Sequence, residues 1–238
     1  MTPVTRDWLT LEPVRRPLRE SLDRQARVPF PWVALLLGAS IVVTGIVTNA
    51  YLHEIPRTLG HRLSTGWPAI EDGRWWTLAS SFVLTRDWFM ASTMPVIMVT
   101  VLALYERRAG HTRTLLVAFV GHAVGTVLLS LLFAPFTLTH VPMLVKAGTN
   151  LDYGGSMAIA AGCGALASRV GDRVFRRLVA AITVVALVVH HQMADWGHLV
   201  AVVLGYGVDA VDGAGRLGRG DRAHRADGGV EVHGRARA

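Results

Sequence analysis

The sequence predicts an all-α, polytopic membrane protein with about six transmembrane helices. Three observations lead there. Of 238 residues, 51% are apolar and only 17% charged. The apolar residues fall in runs long enough to cross a bilayer core of about 30 Å. The arginines lie between and beyond those runs, as membrane topology requires.

Residues 1–29 are polar and carry Arg15, Arg16, Arg19, Arg24 and Arg27, which reads as a basic cytoplasmic arm without a cleaved signal peptide. The membrane domain is expected over residues 30–211. Its first span is about Trp32–Leu52. A long connection follows, with Pro56, Gly60, Gly66, Pro68 and Gly73 as breakers. Trp67, Trp75, Trp76 and Trp88 in that stretch suit a membrane interface. The second span is about Trp88–Tyr105 and contains Pro95; the third is about Leu115–Phe133. Pro135 and Pro142 interrupt a loop running to Asp152. The fourth span, about Tyr153–Ala167, is short and rich in Gly and Ala. The fifth is about Val174–His190 and the sixth about Met193–Val211. Residues 212–238, rich in Gly and Arg, read as a disordered cytoplasmic tail.

The arm, the Arg107–Arg113 connection, the Arg169–Arg177 connection and the tail hold most of the arginines. They alternate along the chain, so both termini are expected in the cytoplasm of a plasma or inner membrane. The net charge of +7 belongs to this topology. No nucleic-acid recognition motif accompanies it, so nucleic acid is not an expected partner. The single cysteine, Cys163, allows no internal disulfide and reads as a small buried residue.

Two polar islands interrupt the late spans. Gly154-Gly155-Ser156 opens the fourth and Asp195-Trp196-Gly197-His198 opens the sixth. In the alternating topology both spans run from outside to inside. At about 1.5 Å rise per residue, Ser156 and His198 then lie at similar depth. Gly154, Ala158 and Gly162 form one small-residue face, and Gly197, Ala201 and Gly205 another. Such faces let membrane helices approach closely. Ser156 is thus a candidate nucleophile and His198 its candidate base, with backbone N–H groups at the helix start for the oxyanion. A serine in such a helix more often bonds a carbonyl, but an ionisable group within a membrane is costly and points to function.

These residues resemble the rhomboid family of intramembrane serine proteases over roughly Trp32 to Val211. Gly154-Gly155-Ser156 is similar to the first three positions of the Gly-x-Ser-Gly motif. His198, Ala201 and Gly205 follow the sixth-span pattern, with alanine for the first glycine, and Asp209 also fits it. Gly73-Arg74-Trp75-Trp76-Thr77-Leu78 resembles the Trp-Arg segment of the first outer loop. Glu106-Arg107-Arg108-Ala109-Gly110 resembles the Glu-Arg-x-x-Gly end of the second span. The resemblance implies a rhomboid-like fold and a Ser-His dyad that cleaves single-span membrane proteins without metal or cofactor. Four positions depart from the pattern. Met157 replaces the motif's last glycine, Met90 and Met94 occupy the second-span positions of the usual oxyanion His and Asn, and Ala160 replaces an aromatic. Oxyanion support therefore falls to Gly154, Gly155, Met157 and their backbone, with Asn150 and His122 as candidate side chains.

Two alternatives stay open. One is a catalytically impaired rhomboid-like protein that binds transmembrane clients. The other is a metal-dependent membrane hydrolase using His190, His191, Asp195 and His198, a set with zinc-compatible residue types.

Overall fold

The computed structural model describes residues 30–149, 151–190 and 193–227. These are mostly helical, with one isolated bridge between Thr65 and Asp152 and no strand among the described residues. The six apolar runs become six long helices: α1 (Trp32–Val47), α5 (Trp88–Ala109), α6 (His111–Leu138), α8 (Ser156–Val170), α9 (Arg173–His190) and α10 (Met193–Asp227). Four short helices lie between them: α2 (Arg57–Leu63), α3 (Trp67–Glu71), α4 (Thr77–Val83) and α7 (Pro142–Gly148). Residues 1–29, expected as a basic arm, lie outside the described residues. The segment expected as a disordered tail begins differently: α10 runs on without a break to Asp227.

The long loops are also more ordered than breakers alone suggest. Arg74 bonds the His61 carbonyl at 2.8 Å and pairs with Asp72 at 3.2 Å, tying α2 to the turn after α3. Pro135 does not open a loop. It sits in a 3₁₀ turn that extends α6 to Leu138. Within α6, residues Val120–Val124 form a π turn.

Helix ends and breaks find specific partners. No side chain of its own caps α1. Instead the buried Glu106 carboxylate, at the end of α5, accepts from the Val33 and Ala34 N–H groups at 3.0 and 2.8 Å. It also pairs with His111. An anion at a helix start satisfies orphan donors and the helix dipole together. Inside α5, Pro95 has no N–H for the Ala91 carbonyl; the Tyr51 hydroxyl donates to it at 3.0 Å. The Asp87 side chain caps α5 by accepting from Met90 N at 3.0 Å.

Helix α8 is central, in contact with α5, α6, α9 and α10. Its packing on α10 depends on glycine. A Cβ at Gly205 would collide with the Ala161 carbonyl, and one at Gly164 with the Val202 carbonyl. At the other end Arg169 Nε donates to Asp209 Oδ1 at 3.0 Å, and the Tyr105 hydroxyl joins them at 2.9 Å. The outer surface, by contrast, is apolar. Val174, Leu178, Ile182, Val185 and Val189 form an exposed stripe on α9, and Leu115, Phe119, Leu128, Leu131 and Leu132 are exposed on α6. Two helices, Trp88–Ala109 and His111–Leu138, are long and apolar enough to cross a membrane, and α1 and α8 are apolar but shorter.

The glycine contacts give a controlled prediction. Gly205→Ala should cost about 1–3 kcal/mol through overpacking against backbone. Gly207→Ala, two residues on in the same helix with open space around it, should be neutral or slightly stabilising. Equilibrium unfolding in detergent checks this; equal effects at the two positions would contradict the packing.

Candidate functional site

Ser156 is the first residue of α8, and Gly155 is its N-cap. The turn before it needs Gly154, whose φ is +86°, a region that disfavours a side chain. Gly154 N donates to the Ser81 carbonyl at 2.7 Å, which holds the turn against α4. The first helical bond of α8 is Ile159 N to Gly155 O at 3.1 Å, so the N–H groups of Ser156, Met157 and Ala158 have no acceptor among the described residues.

His198 lies in the second turn of α10. The two helices run in parallel. Met157 lies against Gly197, and Arg169 bonds Asp209, forty positions apart in each case. In this register Ser156 is level with Trp196, and His198 is only two residues deeper, about 3 Å. His198 shares a helical stripe with Ala201, Gly205 and Asp209 at i+3, i+7 and i+11, and Gly205 and Asp209 of that stripe meet α8.

Around α8 the neighbours differ from face to face. Gly155 and Gly162 pack on α5, against Met98 and Leu102. Gly164 meets α10, while Met157 and Ala161 touch both α10, at Gly197 and Gly205, and α6, at Gly125 and Gly121. Between these flanks lie Ser156, Ala160 and Cys163, all half-buried among buried neighbours. The nucleophile candidate therefore sits on a seam that separates the α5 and α10 contacts. Ser156 and His198 share depth and neighbouring surfaces, but no hydrogen bond joins them among the described residues.

The helix-packing expectation needs correction on one side. Gly197, Ala201 and Gly205 do lie on the packed surface of α10. The Gly154, Ala158 and Gly162 face of α8 does not meet them: Gly162 turns to Leu102 and Val101 of α5, Gly154 to Met90 and Leu84, and Ala158 joins the cluster of Met98, Leu102 and Ala118. Helix α8 is small-residue-rich on several sides, and the next face, Met157-Ala161-Gly164, is the one that α10 takes.

Met157 illustrates how a departure is accommodated. Its side chain is buried, accepts from Thr126 Oγ1 at 3.3 Å, and fills the space beside Gly125 and Gly197. It points away from the Ser156 seam, so only its backbone N–H is available to an oxyanion. The methyls of Met90 and Met94 flank Gly154, and that of Met98 flanks Gly155. Thioethers offer no donor. The backbone N–H groups at the start of α8 are thus the donors that the described residues leave open beside Ser156.

His122 is not one of them. It is buried on the π turn, with Nε2 2.9 Å from the Leu78 carbonyl and 3.2 Å from Ser81 Oγ, and its ring stands edge-on to Phe82. Leu78 can only accept, so Nε2 carries the proton. Because Ser81 also receives Gly154 N, His122 braces the turn from behind. Asn150 and His191 lie outside the described residues, as does the side chain of His190. Among the described residues no group of three His, Cys, Asp or Glu gathers to hold a metal.

Sequence reasoning did not assign a site role to Asp152. It pairs with Thr65 across the isolated bridge, and its Oδ1 accepts from Tyr153 N at 3.0 Å. The residue as a whole is half-buried, but Oδ2 is buried without a partner among the described residues, beside a cavity of about 30 Å³ that Thr126, Ser130 and Ala194 help to line. That volume accommodates one or two waters. Burial pushes the Asp152 carboxyl up to about 7, against the Tyr153 N–H bond, which favours the charged form.

The chain matches no known family profile, no curated protein and no solved structure.

The Asp152 shift has a sign. A carboxyl raised from 3.8 to about 7 favours the folded state below pH 3.8, and this advantage is lost as pH rises to 7. Three pH units correspond to at most about 4 kcal/mol, less where water reaches this half-buried residue. Asp152→Asn should therefore flatten the fall in Tm between pH 4 and 8. An unchanged slope would show that another group sets it.

Proposed function

We propose that the chain is an intramembrane serine protease of rhomboid-like architecture that cleaves single-span membrane proteins at Ser156 with His198 as base. The observation that carries this reading is the parallel, glycine-mediated packing of α8 on α10; in that register His198 is about 3 Å deeper than Ser156, which supports their working as a pair. Ser156 Oγ attacks the scissile carbonyl as His198 takes its proton. The N–H groups at the start of α8 stabilise the tetrahedral oxyanion. His198 returns the proton to the leaving amine, and water then hydrolyses the acyl-enzyme. The seam between α5 and α10 admits the substrate from the side.

A bilayer setting is supported by the exposed apolar stripes on α6 and α9, which water would not tolerate over such an extent. The six long helices span it, with the Arg169–Asp209 end in the cytoplasm together with both termini. The partners are then lipid and single-span substrates.

A second reading has a specific observation in its favour. Met90 and Met94 methyls stand at Gly154 where hydrogen-bond donors would serve an oxyanion. In that reading the seam binds transmembrane clients without cutting them.

Cleavage in proteoliposomes separates the two. Ser156→Ala and His198→Ala should each abolish cleavage of a single-span substrate; cleavage that survives Ser156→Ala would exclude the dyad. The client-binding reading expects no wild-type cleavage and unchanged binding in Ser156→Ala. Under the protease reading, Met94→Asn should raise kcat about 10-fold or more, since a single oxyanion donor is commonly worth 100-fold or more.

A further inference from the structure

We propose that Asp195 is a positioning residue for His198, so that the site works as a Ser-His-Asp triad. The proposal rests on the protease reading above, but its central contact can be measured without activity. Asp195 Oδ1 lies 3.9 Å from His198 Nδ1, three residues apart on one face of α10. That is an ion-pair separation, longer than a hydrogen bond, and catalytic contacts of this kind commonly tighten when substrate is bound.

Burial sets Asp195 apart from an ordinary acidic residue in a first helical turn. Such a residue gains from the helix dipole while fully in water. Asp195 is only 5% exposed. A buried carboxylate is expensive unless neighbouring donors hold it, and the His198 ring presents one.

The geometry also assigns the two ring nitrogens. Nδ1 is the atom directed at Asp195. With its proton held there, Nε2 at the far side of the ring is the free base. Nε2 takes the Ser156 Oγ proton as the Oγ–carbon bond forms. It gives that proton to the leaving nitrogen as the C–N bond breaks. Asp195 orients the ring and takes no part in the proton's passage from Ser156 to the leaving nitrogen. This compensates in part for the missing side-chain oxyanion donors, because a serine backed by a fixed base needs less reorganisation to attack.

The test is the tautomer of His198. Side-chain ¹⁵N spectra of histidine-labelled Ser156→Ala protein, with His198 assigned by its loss in His198→Ala and read where it is neutral, should show the proton on Nδ1. Adding Asp195→Asn should move it substantially to Nε2, with Tm little changed. The same tautomer in both proteins, or a proton on Nε2 in the first, would overturn the proposal. In cleavage assays Asp195→Asn should lower kcat by up to about 10,000-fold, as the corresponding change does in a serine protease triad, with little change in KM. If Ser156→Ala abolishes cleavage while Asp195→Asn leaves it intact, the dyad stands and the role of Asp195 falls. If the wild type cleaves nothing, the protease reading falls, and the tautomer still decides whether Asp195 holds His198.

Discussion

The close approach of α8 to α10 is the constraint on which the rest of the architecture depends. Gly164 and Gly205 each bring a backbone carbonyl of the other helix to where a side chain would stand. Glycine in a helix interior costs about 0.5–1 kcal/mol relative to alanine, so two of them at one interface mark a packing demand. Their parallel register is held at one end by the Met157 side chain in the gap at Gly125 and Gly197, and at the other by the Arg169–Asp209–Tyr105 cluster. Everything proposed for Ser156 and His198 follows from that register. A slip of one residue would rotate either side chain by about 100° and move it out of the shared surface.

The turn that delivers Ser156 is supported from three directions. Gly154 takes a left-handed conformation, its N–H is bound by Ser81, and Ser81 is in turn held by His122 from the π turn of α6. Helix α4 therefore does more than connect spans, because it links α6 to the start of α8. Methionines from α5 fill the remaining side. Their flexible thioethers seal the turn without supplying polarity. The result is an electropositive helix start with backbone donors alone.

Much of this was legible in the sequence, for identifiable reasons. Apolar runs bounded by Pro, Gly and Arg located the long helices, since length and charge placement are strong signals for such elements. The expectation that the fourth and sixth runs point the same way agrees with the parallel α8 and α10. Helix facing was harder to read. Gly154-Ala158-Gly162 and Met157-Ala161-Gly164 are both small enough to pack tightly, and the choice between them depends on cavities that Gly125 and Gly121 create from another helix. The His122 partners were hidden for a similar reason, because Leu78 and Ser81 come from a connection that breakers made look irregular. The Asp195–His198 pairing had a local signal, an i,i+3 spacing, but only burial distinguishes it from a solvent-facing acid at a helix start.

The most direct test of the central claim is adduct mapping with a fluorophosphonate in proteoliposomes. The account predicts one modified peptide carrying the phosphonate on Ser156, formed in wild type and lost in His198→Ala. Adducts on a different residue, or a Ser156 adduct forming equally fast without His198, would contradict it.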